Sequence, residues 1–210
     1  MQKVVPAILT ADPAELREGL EVLRNRIKWA HIDIMDGKFV PNTSISIFEL
    51  GEASQFFNLE IHLMVKNPEK YFEDCEAIGA KRVIFHAEAT DNIEGVLKEM
   101  KKYSFQRAIA INPDTSVLTI VPYLNSLDGV LIMSVHPGFQ KQEFIEDVVL
   151  KIAEIKKHAQ DIAVSLDGGI NKTNIERIFQ AGVRYVCVGS AIMKSPNPAD
   201  ALRSLEEMIG

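Results

Sequence analysis

The chain has 210 residues, 47% of them hydrophobic and 25% charged, a globular balance that excludes a disordered or fibrous protein. Its 23 Lys and Arg against 29 Asp and Glu leave a formal charge of −6, so no bulk positive field favours nucleic acid or an anionic membrane surface. No apolar run reaches the roughly 18 residues of a membrane span. The first residues carry no signal-peptide layout, and two distant cysteines, Cys75 and Cys187, fit reduced thiols in a cytoplasmic protein.

In chain order, β-branched runs at 4–9, 29–34, 59–65, 82–86, 106–111, 129–135, 162–167 and 184–189 read as eight strands. Helical periodicity separates them. Leu16, Leu20, Leu23 and Ile27 form one stripe, Phe144, Val148, Ile152 and Ile155 another, and Leu202, Leu205 and Ile209 a third. Asp12-Pro13, Asn67-Pro68 and Lys172-Thr173-Asn174 mark helix starts. Eight strand–helix units without a linker predict one domain over 1–210, an α/β fold of the (β/α)8 barrel type with eight parallel strands. A doubly wound open sheet is the alternative, but no dinucleotide glycine fingerprint follows the first strand. The longest gap follows strand six, at 135–142, where extra length lies on the active face of a barrel and suits a lid.

Ionisable groups inside apolar strands are the anomaly. Alternation puts His31, Asp33 and Met35 on one face of strand two and His62 with Met64 on one face of strand three, while Asp167 ends strand seven. A lone strand histidine is usually a hydrogen-bonded core residue. Two histidines and two aspartates at one barrel mouth are better served by a divalent metal, since buried carboxylates need a cation, a proton or several donors. Mixed imidazole and carboxylate ligation suits zinc first, with iron(II), manganese or cobalt as alternatives. Gly168 and Gly169 after strand seven, with Gly189 and Ser190 after strand eight, form the small-residue turns on which barrels bind phosphate.

The segments PAILTAD, HIDIMDGKFVPN, HLMVKNPE, FHAEA, INPDT, IMSVHPGF, LDGGI and VGSAI, running in that order from Pro6 to Ile192, resemble the ribulose-phosphate 3-epimerase family. The resemblance implies a metal-dependent barrel that interconverts D-ribulose 5-phosphate and D-xylulose 5-phosphate through an enediolate. His31, Asp33, His62 and Asp167 fall on its metal-ligand positions, and Asp33 and Asp167 also on its two acid/base positions. Strands two and seven lie three steps apart around an eight-strand ring, so these carboxylates can face a flat substrate from its two sides. Met35, Met64 and Met133 match the residues that wall the reacting carbons, and Gly138, Gly168, Gly169, Gly189 and Ser190 match substrate- and phosphate-binding positions. A small-molecule sugar phosphate and a homo-oligomer are the implied partners, in the cytoplasm.

Two departures stand out. Ala7 replaces the family's usual serine, and Gln140 and Lys141 replace two glycines of its PGFGGQ loop. Lys141 is thereby a candidate phosphate contact. These changes keep open the same chemistry on another ketose phosphate, such as a hexulose 6-phosphate. A related decarboxylase would carry Lys at position 35, where this chain has Met. A non-catalytic sugar-phosphate sensor is the remaining rival. His86 reads as a border or structural residue, Asp36 as a loop former, and Cys187 as packing.

Overall fold

The computed structural model describes residues 2–139 and 142–210. Strands β1 (Val4–Ile8), β2 (Trp29–Met35), β3 (Asn58–Met64), β4 (Arg82–His86), β5 (Gln106–Ile111), β6 (Gly129–Met133), β7 (Ala163–Asp167) and β8 (Tyr185–Val188) pair in sequence order, all parallel. Pairing of β1 with β8 closes the barrel, so the open-sheet alternative falls away.

Strand alternation divides the side chains cleanly. Ile32 and Ile34 of β2, Ile61 and Leu63 of β3, Val83 and Phe85 of β4, and Val164 and Leu166 of β7 join the outer core beneath the helices. A second, smaller cluster fills the lumen, with Val5, Ala7, Ile84, Ala108, Ala110, Leu131, Met133 and Tyr185. Because both faces are covered, the strands read as near-continuous apolar runs, which is the behaviour of parallel sheets.

The connecting helices are α1 (Pro13–Leu23), α2 (Phe72–Ala77), α3 (Ile93–Met100), α4 (Leu150–His158), α5 (Ile175–Gln180), α6 (Ser190–Met193) and α7 (Pro198–Glu207). Helix α1 begins as its sequence predicts: the Asp12 carboxylate accepts the Ala14 N–H at 2.8 Å and Pro13 occupies the first turn. Its Leu16, Leu20 and Leu23 are buried, each worth roughly 1.5–3 kcal/mol relative to exposure. Ile27 and Ile209 extend their stripes beyond the ends of α1 and α7. Asn67 behaves differently from a cap: it sits at φ 54°, makes no capping hydrogen bond, and leads into a 3₁₀ turn at Pro68–Tyr71.

Two crossovers contain no α-helix among the described residues. From β2 to β3 the chain runs through 3₁₀ turns at Ile47–Leu50 and Ala53–Gln55, and from β5 to β6 through Val117–Thr119 and Val121–Ser126. Pro41, Gly37 and Gly51 break the first segment, and Pro122 with β-branched Val117, Thr119, Ile120 and Val121 weakens helix formation in the second. In both, 3₁₀ turns take the place of the crossover helix. No helix of the described residues is long and apolar enough to cross a membrane.

Candidate active site

Register brings the polar groups together at the C-terminal mouth of the barrel. Asp33 pairs with His62 and Met35 with Met64 across β2 and β3, Met133 pairs with Asp167 across β6 and β7, and His31 lies beside Ala7 of β1. His62 Nδ1 is 2.8 Å from Asp33 Oδ1, and His31 Nε2 is 3.3 Å from both Asp33 Oδ1 and His62 Nδ1. The Asp167 carboxylate completes the group at 3.9 Å from each imidazole. One potential ligand atom from each of the four lies within 4.8 Å of the other three. The two carboxylates therefore converge on one point despite coming from opposite sides of the ring.

This donor set fits a divalent cation. Burial opposes ionisation of Asp33, yet hydrogen bonds and charge from His31 and His62 hold its carboxyl well below the usual range. Burial, followed by the like charge of Asp33, pushes Asp167 up to about 7. Two buried carboxylates so close repel each other, and no Lys or Arg touches either one among the described residues. A cation between the imidazole nitrogens and carboxylate oxygens would relieve that repulsion. Both histidines turn a second nitrogen away from the cluster onto a buried partner.

One of those partners, Glu60, was not among the candidate residues read from the sequence. His31 Nδ1 donates to Glu60 Oε1 at 2.6 Å, and Glu60 is completely buried. The other Glu60 oxygen accepts from Arg82 Nη1 at 2.5 Å and from the Tyr185 hydroxyl at 2.6 Å. Burial works against the Glu60 charge, but His31, Arg82 and Tyr185 hold its carboxyl down at about 2. Arg82 is itself fixed by Gln106 and packed over the Trp29 ring, 4.8 Å from its centroid. Cys187, expected to serve packing alone, places its Sγ 3.3 Å from His31 Nδ1, with burial pushing the thiol up. Glu60 and His62 share one face of β3, so their spacing carried a signal. Nothing local in the sequence announces the reach from Arg82 or Tyr185.

Above the cluster lies a cavity of about 270 Å³. Asp33, Asp167, Met64, Met133, Gly138, Gly168, Gly169, Gly189 and Ser190 all line it, as does Ala7. Met35 packs against Met64 and Val40. Lys141 and Gln140 lie outside the described residues. The loops after β2 and β6 are tied by a 2.7 Å bond from Asn42 Nδ2 to the Gly138 carbonyl, and Asp36 shapes the former by accepting from the N–H groups of Lys38, Phe39 and Lys66.

Glycine is required at the turn after β7. Gly168 has φ 111° and Gly169 φ 64°, and a Cβ on Gly169 would lie 2.8 Å from the Phe144 backbone nitrogen. Ser134 braces the same turn: its N–H donates to the Asp167 carbonyl at 2.7 Å and its hydroxyl lies 2.6 Å from the Gly168 carbonyl. The turn is thereby held open toward the cavity beside Asp167.

A closed parallel barrel with two buried histidines and two buried aspartates beneath a glycine-rimmed cavity has the form of a barrel enzyme whose strand ends could hold a metal ion. Residues 3–193 match the ribulose-phosphate 3 epimerase family, and the chain belongs to that family of enzymes. Ribulose-phosphate 3-epimerase of Mycobacterium bovis is 36% identical over 213 residues, covering 99% of this chain and 93% of that protein. The Bacillus subtilis protein of the same name is 34% identical over 218 residues, covering 100% and 99%. In fold, the chain is similar to a 3-hexulose-6-phosphate synthase with a TM-score of 0.76 at 15% identity and full coverage of both chains. An orotidine 5'-phosphate decarboxylase from Pyrococcus horikoshii has a TM-score of 0.69 at 14% identity, covering 98% of each chain.

Proposed function

We propose that this chain, as one barrel domain, inverts C3 of D-ribulose 5-phosphate to give D-xylulose 5-phosphate, with Asp33 and Asp167 as the acid/base pair. The observation that carries the reading is the convergence of these two unlike carboxylates, from β2 and β7, beneath a single cavity. Hydrogen bonds and charge from His31 and His62 favour the ionised form of Asp33, while burial and the like charge of Asp33 raise Asp167, so the two carboxyls differ in acidity. Two carboxyls of unlike acidity suit an acid and a base that act on opposite faces of one carbon.

On this reading one carboxylate takes the C3 proton, leaving an enediolate, and the other returns a proton to the opposite face. The two aspartates exchange roles in the reverse direction. His31 and His62 would hold a divalent ion, zinc foremost, together with Asp33 and Asp167. When bound, such an ion supplies positive charge that stabilises the negative charge developing on the substrate oxygens. Met64 and Met133 line the cavity as an apolar wall, which keeps water from the carbanionic intermediate and strengthens the electrostatics within. The turns at Gly168–Gly169 and Gly189–Ser190 lack the side chains that would block a phosphate from approaching the backbone. The family reading also carries a cytoplasmic homo-oligomer, for which light scattering should give a solution mass of more than one chain.

The test is metal removal. Chelator-stripped protein should lose at least about 100-fold of its rate on ribulose 5-phosphate, measured by coupled detection of xylulose 5-phosphate, and Zn²⁺ should restore it. Full activity with no bound metal would remove the ion from the reading.

A further inference from the structure

His86 was expected to border the site or to serve structure alone, yet it is fully buried at the end of β4 and aims at a metal-ligand histidine. Its Nε2 is 2.8 Å from His62 Nε2, and the two rings lie 5.0 Å apart at 26°. Its Nδ1 is 3.3 Å from Glu88 Oε2. The other Glu88 oxygen accepts the Asn112 N–H at 2.8 Å and the Thr115 hydroxyl, so the carboxylate is fixed by the loop after β5. Phe39 covers the His86 ring at 4.9 Å.

Hydrogen-bond accounting along this row has two solutions for neutral rings, because Asp33 at one end and Glu88 at the other both only accept. In the first, His86 donates from Nδ1 to Glu88 and presents a bare Nε2. Two N–H groups cannot face each other at 2.8 Å, so the single proton between the rings belongs to His62 Nε2. His62 Nδ1 is then left with its lone pair pointing into the four-residue cluster. The row works against a competing pull: Asp33 Oδ1, 2.8 Å from His62 Nδ1, would by itself draw the proton onto that nitrogen and block it as a ligand.

We propose that His86, oriented by Glu88, is a positioning residue that sets the His62 tautomer, keeping Nδ1 bare and directed at the metal position. This rests on the metal reading above. It extends outward from that site, because Glu88 touches neither the cavity nor any of the four cluster residues. Fixing the ring and tautomer of a metal-ligating histidine through its second nitrogen is a general device, and loss of such a partner typically weakens metal binding 10- to 100-fold.

The experiment uses ¹⁵N-histidine-labelled full-length protein. In the metal-free wild type, two-dimensional NMR should find both His62 tautomers, the Nε2–H form held by His86 beside the Nδ1–H form drawn by Asp33. His86→Phe should leave only the Nδ1–H tautomer and weaken Zn²⁺ binding about 10- to 100-fold by competition titration. His86→Gln should rescue both, since its amide oxygen accepts from His62 while its NH₂ donates to Glu88. Glu88→Leu, which touches neither ligand histidine, should shift the His62 tautomers toward Nδ1–H, and it decides the matter if His86→Phe does not fold. Unchanged His62 tautomer and Zn²⁺ affinity in folded His86→Phe or Glu88→Leu would overturn the proposal. A wild type that binds no Zn²⁺ would sink the metal reading instead, and the tautomer spectra would still decide the role of His86.

Discussion

Asp167→Asn is expected to lower the rate of epimerisation by about 10³-fold or more while leaving the barrel folded. Asparagine keeps the side-chain shape and one oxygen, and the Ser134 bonds that brace this strand end go to backbone carbonyls, which the substitution does not touch. Asp33→Asn should show a loss of similar size. The pair becomes diagnostic through hydrogen exchange, because each variant retains one carboxylate on one face of the substrate. In D₂O each variant should still exchange the C3 hydrogen of one epimer and fail with the other, and the preferences of the two variants should be opposite. Metal analysis of both separates loss of a base from loss of a ligand. Rates near wild type in either variant would remove that aspartate from the acid/base pair.

Arg82→Met should cost about 3–5 kcal/mol of stability in urea unfolding, the largest effect expected from any residue outside the cavity. Glu60 is completely buried, and among the described residues Arg82 is its only cationic side-chain partner apart from the His31 imidazole. Removing the guanidinium leaves a carboxylate in the lumen with its charge poorly compensated. The double replacement Glu60→Met with Arg82→Met should recover most of that loss, since well-packed apolar side chains commonly match or exceed a buried ion pair in stability. Its metal affinity should nonetheless fall about 10- to 100-fold, because His31 Nδ1 loses the acceptor that orients its ring. The prediction therefore separates stability from function within one network. A double variant as unstable as the single one would show that the charge of Glu60 is not the source of the cost.

The same two networks mark where the sequence stopped being legible. Eight strands could be read to within one or two residues because parallel strands covered on both faces are continuous β-branched runs. The end of β6 was placed at 135, but the strand finishes at Met133, where the Ser134 N–H turns to the Asp167 carbonyl. Crossovers were harder: proline and β-branched residues between β5 and β6 carry apolar periodicity yet form 3₁₀ turns. In the site, strand alternation alone brought His31, Asp33, His62 and Asp167 to one mouth. Arg82, Tyr185 and Glu88 were out of reach, because they meet their partners across 22 to 125 residues of sequence or through a second ring. The same alternation put Met35 on the face of β2 that carries His31 and Asp33, where it packs against Met64 and the Val40 of the following loop.

The central claim is inversion at C3 by proton exchange, and wild-type turnover in D₂O tests it most directly. Metal-reconstituted protein supplied with D-ribulose 5-phosphate, followed by proton NMR, should form D-xylulose 5-phosphate carrying one solvent deuterium at C3. Xylulose 5-phosphate that retains the original C3 hydrogen, or no exchange and no product from protein with metal bound, would contradict the account.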